Sequence, residues 1–238
     1  MKFSKRVAAW AGAIGILLAC SAAQAIEVFP VVKTLRQETP RENYVTVKSM
    51  FRVAEEGEEK RTDPQQYEFV TLELFHVPNP GDSKEIRIKE LGAADPTLVF
   101  SPTRLVIPYG ETRKVRIMPL KPVERERVYR LRIRPGYPEQ ALDKGKVRFA
   151  IGYDVLLRYL PSGKQTQGIA IACQNNQWQL SATGNVRSEL RDLVVDGRKW
   201  KTQFNVYPGH SRTLTVNQRI AFELEGKLHV YEQCQRQE

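Results

Sequence analysis

One stretch of the chain constrains its fold more than any other, the sixteen residues KVRFAIGYDVLLRYLP at 146–161. Every second residue from 147 to 159 is apolar or aromatic, and this alternation is typical of a β-strand that buries one face. Fifteen residues at about 3.3 Å each would reach roughly 50 Å, whereas most strands have five or six residues. The sequence therefore raises the question of what a strand of this length is for.

Shorter alternating segments of the same kind recur along the chain, and turn-forming residues separate them. Strands are predicted at 44–50, 67–74, 114–117, 128–133, 178–180, 213–216 and 222–231. Turns are predicted at 79–82, 108–110, 135–138, 196–197 and 208–209, each of which contains glycine. No helical pattern is longer than two turns. Many short strands joined by Gly/Pro turns predict an all-β protein built from β-sandwiches.

The segment LPSGK at 160–164 divides the chain, because a proline and a glycine follow the long strand and a new set of strands begins near Ile169. We predict two sandwich domains, at 26–160 and 161–238, and a disulfide would help the smaller second one. The acidic segment at 54–60 is interpreted as a solvated hairpin tip.

The first 25 residues have the features of a secretory signal peptide. A basic start precedes the apolar run 7–19, and Ala23-Gln24-Ala25 forms an A-x-A cleavage site, so cleavage is predicted after Ala25. The apolar run is too short to span a membrane, and no later run reaches 18 residues. The alternative is lipoprotein processing at Cys20, which follows Leu17-Leu18-Ala19.

Removing this leader takes three of the 37 basic residues and none of the 27 acidic ones, which leaves a formal charge of +7. This charge fits either a solubilising surface or a protein that binds anionic groups. Two cysteines remain, Cys173 and Cys234, and in an exported protein they predict one disulfide.

Motifs of enzyme chemistry are missing from the sequence. His76, His210 and His229 lie far apart and lack metal-ligand spacing. We find no nucleophile elbow, phosphate loop or cysteine in a nucleophile context. The chain is therefore interpreted as a non-enzymatic binding protein without metal or cofactor.

The arginine-rich segment at 125–134 could suggest nucleic-acid binding, but a secretion signal argues against that function. The segment fits a strand better. Tyr129, Leu131 and Ile133 would face a core, and the arginines between them would face the other way.

The segment FSPTRLVIPYGETRKVRIMPLKPVERERVYRLRI at 100–133 resembles the periplasmic pilus chaperones of the PapD-like superfamily. The motifs VYRLRI, LLRYLPSG, TGNVRSELRDL at 183–193 and FPVVKTL at 29–35 are similar to one branch of it, the chaperones of class 5, or colonization-factor, fimbriae. The resemblance covers nearly all of the chain after the leader and is weaker at 51–95 and after Val195.

This resemblance implies two immunoglobulin-like β-sandwiches in a boomerang arrangement. It also implies a periplasmic chaperone that stabilises fimbrial subunits by donor-strand complementation and delivers them to an outer-membrane usher. The long strand would then complete its own sheet and fill a groove in the client. By position Val147, Phe149 and Ile151 are the apolar plugs, with Tyr153 as a fourth. Burying three such side chains would contribute about 5–8 kcal/mol.

The resemblance also implies two basic residues that anchor the client's C-terminal carboxylate. Lys33 occupies the first position, on the first strand. The second position lies four residues before Arg158 and holds Asp154, an acid that cannot bind a carboxylate. Arg130, Arg132 and Arg148 are the candidate substitutes.

A salt bridge between Glu126 and Arg158 is implied as the contact that fixes the interdomain angle, joined by an acid of the second domain. Glu223 and Glu225 are the candidates for that acid.

Two other functions stay open at this point. The chain could be a secreted structural component of a pilus, either a pilus subunit or an adhesin, or it could be a periplasmic β-sandwich that binds polyanions. Self-association of the free protein is also open, because it would cover an exposed strand edge.

Overall fold

The computed structural model describes residues 26–50, 67–136 and 151–237. These residues form nineteen β-strands and one 3-10 helix at Pro40–Glu42. The predicted leader, the acidic segment 54–60, and Val147, Arg148 and Phe149 lie outside the described residues. In the described ranges, no helix combines the length and hydropathy needed to cross a bilayer.

The first ten strands form two facing sheets. Their bounds are β1 Ile26–Phe29, β2 Val32–Leu35, β3 Tyr44–Ser49, β4 Tyr67–Val77, β5 Ile88–Lys89, β6 Leu98–Ser101, β7 Arg104–Pro108, β8 Thr112–Pro119, β9 Arg127–Pro135 and β10 Tyr153–Tyr159. One sheet has the order β1-β3-β8-β6. The other has the order β2-β10-β9-β4-β5, with β7 also paired to β4. Inward residues of both sheets merge into one buried core, which includes Val45, Leu74, Ile117, Leu131 and Leu157.

The chain passes from one sheet to the other between β1 and β2, at Pro30 and Val31. β1 pairs antiparallel with β3, whereas β2 pairs parallel with β10. The register sets Val32 beside Leu156 and Leu35 beside Tyr159. β2 therefore pairs with only the second half of β10.

The remaining nine strands form a second pair of sheets. Their bounds are β11 Ile169–Gln174, β12 Gln177–Ala182, β13 Ser188–Val195, β14 Arg198–Lys199, β15 Phe204–Val206, β16 Ser211–Thr215, β17 Arg219–Leu224, β18 Lys227–Glu232 and β19 Gln235–Gln237. The sheet orders are β11-β12-β16 and β14-β13-β17-β18-β19, with β15 paired to β13. Trp178, Leu180, Phe204, Ile220 and Phe222 lie in their shared core. The expected all-β architecture of two sandwiches is confirmed.

Two strands differ from the sequence prediction. The single strand predicted at 222–231 is the hairpin of β17 and β18. Its turn residues Glu225 and Gly226 have φ of 51° and 75°, the left-handed pair that a two-residue hairpin turn needs. The described end of the long strand begins its ladder at Tyr153. At Gly152 an added Cβ would lie 3.2 Å from both Arg134 Cγ and Ile133 O, so the close approach to β9 leaves little room for a side chain there.

Cys173 and Cys234 form a disulfide, with a Cα–Cα distance of 6.2 Å. The bond ties the edge strand β11 to the turn before β19, and both cysteines pack against the second core. Cys173 also lies directly opposite the buried Trp178 in the β11–β12 register.

Replacing both cysteines by serine should lower the free energy of unfolding of the second sandwich. The disulfide spans a sequence separation of 61, and closing a loop of that size contributes about 2–4 kcal/mol. Urea unfolding followed by Trp178 fluorescence would measure the loss. An unchanged midpoint would show that the bond does not stabilise this fold.

Candidate functional site

The outward face of β9 carries a row of arginines. Tyr129, Leu131 and Ile133 are fully buried in the first core, and Arg130 and Arg132 lie between them on the opposite face. In the ladder, Arg132 stands between Asp154 of β10 and Glu73 of β4. Cations and carboxylates of three adjacent strands therefore share this face, which we call the charged face.

Arg130 is held by a carboxylate from the segment between β4 and β5. Its Nε and Nη2 donate to the two oxygens of Glu85 at 3.0 and 2.7 Å. These hydrogen bonds raise the pKa of Arg130 above its usual value. A bidentate pair of this kind is strong and directional, so the Arg130 guanidinium is already bound to a partner within the protein.

Asp154 is bound by two arginines. Arg87 Nη1 donates to Asp154 Oδ2 at 2.8 Å, and Arg132 Nε lies 3.6 Å from Asp154 Oδ1. The guanidinium of Arg132 also lies over the Phe75 ring, 5.0 Å from its centroid. Arg87 was not a candidate from the sequence, because its position between β4 and β5 gives no sign that it reaches β10.

The acid at position 154 is therefore already paired within the chain. Among the described residues of the charged face, the cations Arg87, Lys89, Arg130 and Arg132 meet the three carboxylates Glu73, Glu85 and Asp154, so this group carries one more positive than negative charge. A carboxylate bound between Arg87 and Arg132 is chemically feasible here, and in this structure Asp154 is that carboxylate.

Lys33 lies on β2, two strands from the arginines of β9. Its register partner is Leu157 of β10. Its Nζ is 5.5 Å from the centroid of the Tyr44 ring, which Lys114 also approaches. Lys33 shares the face of Leu157 and Tyr129, which points into the first core, whereas Arg130 and Arg132 lie on the other face of this sheet. The sheet thus places these cations in two separate groups.

The two predicted plugs that the structure describes behave differently. Ile151 precedes β10 and is 47% exposed. Tyr153 packs against the first core, and its hydroxyl donates to the carbonyl of Ile26 at 3.2 Å. Tyr153 therefore contributes to its own sandwich, whereas Ile151 is available to another molecule.

The first half of β10 is an open strand edge. Tyr153–Val155 pair with β9 on one side, and among the described residues no strand pairs with their other side. The chain also exposes Phe29, at the end of β1, and Val31 and Val32, which adjoin Leu156 of β10, and Phe29 is 72% exposed. We call these three residues together with Ile151 the apolar strip. In the sequence this strip corresponds to the run FPVV at 29–32. Successive side chains of a strand point to opposite faces, so the adjacent apolar residues Val31 and Val32 cannot share one buried face.

A buried ion pair lies where β10 approaches the second sandwich. Arg158 Nε and Nη2 donate to Glu126 at 2.6 and 2.9 Å, and the Glu126 side chain is fully buried. Burial works to lower the pKa of Arg158, but the hydrogen bonds and charge of Glu126 outweigh it and raise that pKa. The backbone N–H of Arg187 donates to the same carboxylate at 2.8 Å.

Among the described residues, the second sandwich donates one hydrogen bond to this pair, from the Arg187 amide, and the charge of Glu189, which lines a cavity with Arg158, also raises the pKa of Arg158. Glu223 and Glu225 do not join it. They line a small cavity of about 270 Å³ together with Glu189 and Arg191. Glu223 lies opposite Arg191 in the β13–β17 ladder. The segment that does reach Glu126 is 185–187, since the Asn185 carbonyl also accepts the Glu126 N–H at 2.8 Å.

An apolar contact accompanies the ion pair. Tyr207 of the second sandwich packs on Val77, Val128 and Leu156, which lie on β4, β9 and β10. The charged face is thus bordered by a contact between the two sandwiches. In the described part of the chain, no group of three or more His, Cys, Asp or Glu residues could hold a metal ion.

Replacing Glu126 by alanine should destabilise the protein by about 3–5 kcal/mol, because Arg158 and the Arg187 amide lose a buried partner. Denaturant unfolding measures the effect. The matched control is Glu232→Ala, which removes an exposed pair with Arg219 worth about 0–1 kcal/mol. Equal effects of the two substitutions would contradict a special role for the buried pair.

No family model matches the chain. In sequence it is 24% identical over 176 residues to a CFA/I fimbrial subunit of Escherichia coli, covering 66% of this chain and 72% of that protein. In structure it is similar to the class 5 fimbriae chaperone CfaA, with a TM-score of 0.62 and 21% identity over 85% of this chain and 92% of the other.

A chain from a chaperone–tip adhesin complex of CFA/I fimbriae biogenesis gives the same coverage and identity, with a TM-score of 0.63. These likenesses show the fold of fimbrial chaperones, two immunoglobulin-like β-sandwiches. The resemblance expected from the sequence is confirmed at that level.

Proposed function

We propose that this protein is a periplasmic, non-enzymatic chaperone that binds fimbrial subunits by lending them a β-strand. The observation that carries the proposal is the open edge of β10 beside the apolar strip. An open edge supplies unpaired backbone groups, and exposed apolar residues beside it supply buried area. Together they support β-augmentation, in which an extended segment of a partner adds to a sheet.

In this proposal the strand is divided at Gly152. Residues from Tyr153 onward belong to the protein's own sheet, and Ile151 with the predicted plugs Val147 and Phe149 enters the groove of the client. The two sandwiches at 26–160 and 161–238 would form the two arms around the bound client. Delivery to an outer-membrane usher, and cleavage of the leader after Ala25, belong to the same proposal.

The charged face would bind the client's C-terminal carboxylate. Arg87 and Arg132 already hold one carboxylate, that of Asp154, in a geometry that a second carboxylate could take. Arg130 is less suited, because Glu85 occupies two of its donors. Lys33 would contact the client closer to the β2 edge. Arg148 lies outside the described residues and stays a sequence prediction.

The first experiment is native mass spectrometry of the protein isolated from its own host's periplasm during fimbrial expression. A one-to-one complex with a small β-rich partner supports the proposal and identifies the client. A chain that polymerises in isolation would instead support a structural role in the pilus itself.

Replacing Ile151 by aspartate should leave the protein folded and lower the amount of client recovered with it by roughly tenfold or more, since a charge would enter an apolar groove. Phe149→Asp should act in the same way. The control is Leu228→Asp, at an exposed leucine of the second sandwich. Unchanged recovery of the client with Ile151→Asp would exclude the donor-strand mechanism.

Replacing Asp154 by asparagine should tighten binding of the client's C-terminal peptide by about tenfold, because an internal competitor for Arg87 and Arg132 is removed. Arg132→Gln should weaken it. The measurement is calorimetry with the free-acid peptide and its amidated form, and only the acid should respond. Glu111→Gln removes the partner of a remote arginine, Arg113, and serves as the control. An equal response of both peptide forms would contradict the carboxylate site.

A further inference from the structure

A second cavity lies in the second sandwich, between the β13–β14 hairpin and the loop that joins β16 to β17. It is an open cleft of about 530 Å³, a volume in the range of small-molecule sites. All of its lining residues belong to the second sandwich, and none of them takes part in the charged face or the apolar strip. The cavity is therefore independent of the proposed client site.

One side of the cavity is fixed by Asp196. Its carboxylate accepts the backbone N–H groups of Asn217 and Gln218 at 2.8 Å and of Arg219 at 3.0 Å. These hydrogen bonds lower the pKa of Asp196 below its usual value. The acid thus clamps the β16–β17 loop to the β13–β14 turn, and its acceptors are used within the protein.

The aromatic wall is Trp200, which is 39% exposed. Its backbone N–H donates to the Leu193 carbonyl at 2.7 Å, and its indole N–H donates to Thr202 Oγ1 at 3.0 Å. The ring meets Phe204 edge to face, with centroids 5.9 Å apart. Because both N–H groups are satisfied and the ring is braced, Trp200 presents a fixed apolar surface to the cavity.

The cavity is also positively charged. Arg198, Lys199 and Lys201 line it, and Lys199 is paired with Asp192 at 2.7 Å. Within the part of the chain that the structure describes, Arg198 and Lys201 have no acidic partner. Thr215 and Asn217 add a hydroxyl and an amide to the lining; the Thr215 oxygen accepts from Gln177 at 3.2 Å and the Asn217 amide donates to Asp196 at 3.1 Å, which leaves the Thr215 O–H and the Asn217 carbonyl oxygen for a ligand.

We propose that this cavity binds an anionic saccharide, a sugar ring that carries a carboxylate or sulfate group. The apolar face of the ring would pack on Trp200, its hydroxyls would pair with Thr215 and Asn217, and its acidic group would bind Arg198 and Lys201. An acidic peptide or a polyphosphate would satisfy the two cations, but neither offers a hydroxylated ring for the indole. The cavity therefore favours a saccharide.

The test is calorimetric titration of the whole chain after leader removal with a heparin-derived hexasaccharide, a sulfated uronate polymer. Binding should be saturable. Trp200→Ala and the pair Arg198→Gln/Lys201→Gln should each weaken it by about tenfold or more. Trp200 is the exposed tryptophan of the described chain, because Trp178 is 2% exposed, so a change in intrinsic fluorescence should accompany binding.

Two controls match these variants. Lys227→Gln/Arg236→Gln removes the same charge from the opposite edge of the same sheet, and Tyr109→Ala removes a half-exposed aromatic ring from the first sandwich. Equal weakening by a control and its matched variant would overturn the proposal. Tighter or equal binding of polyaspartate or polyphosphate would also overturn it. If Trp200→Ala fails to fold, the outcome of the test rests on the Arg198→Gln/Lys201→Gln variant.

Discussion

The buried pair of Glu126 and Arg158 lies at the junction of the two sandwiches. A buried ion pair often contributes little net stability, since desolvation opposes the attraction, but removing one partner is costly. Here the carboxylate also accepts an N–H from Arg187 of the second sandwich. The Glu126 carboxylate, just before β9, therefore contacts both the end of β10 and the neighbouring sandwich, and Tyr207 adds apolar contact beside it.

The charged face lies next to this junction. Its arginines project from β9 and from the segment before β5 into a region bordered by the second sandwich, where they meet Glu85 and Asp154. These internal carboxylates pair with the cations within the protein itself. Asp154, held by one short hydrogen bond and one longer contact, is the weaker of the two internal partners, and exchange with an external carboxylate is easiest there.

Much of this architecture could be predicted from the sequence, because alternation and turn residues are local signals. The strands at 44–50 and 128–133 and the inward facing of Tyr129, Leu131 and Ile133 follow directly from period two. The contacts of the site are different. Nothing local shows that Arg87 reaches Asp154, or that a backbone amide at Arg187, rather than Glu223 or Glu225, completes the ion pair. These contacts depend on how segments far apart in the sequence are placed beside one another in the fold.

The position of Gly152 bears on how the protein could bind and release clients repeatedly. The β10 residues after it are held by β9 and the first core, with Tyr153 bound to Ile26, while the residues before it are the ones proposed to engage a client. Loading and release would then change pairings on one side of a glycine and leave the core untouched. Such a molecule can pass through many cycles without refolding, so its turnover would be set by the partner's exchange rather than by its own stability.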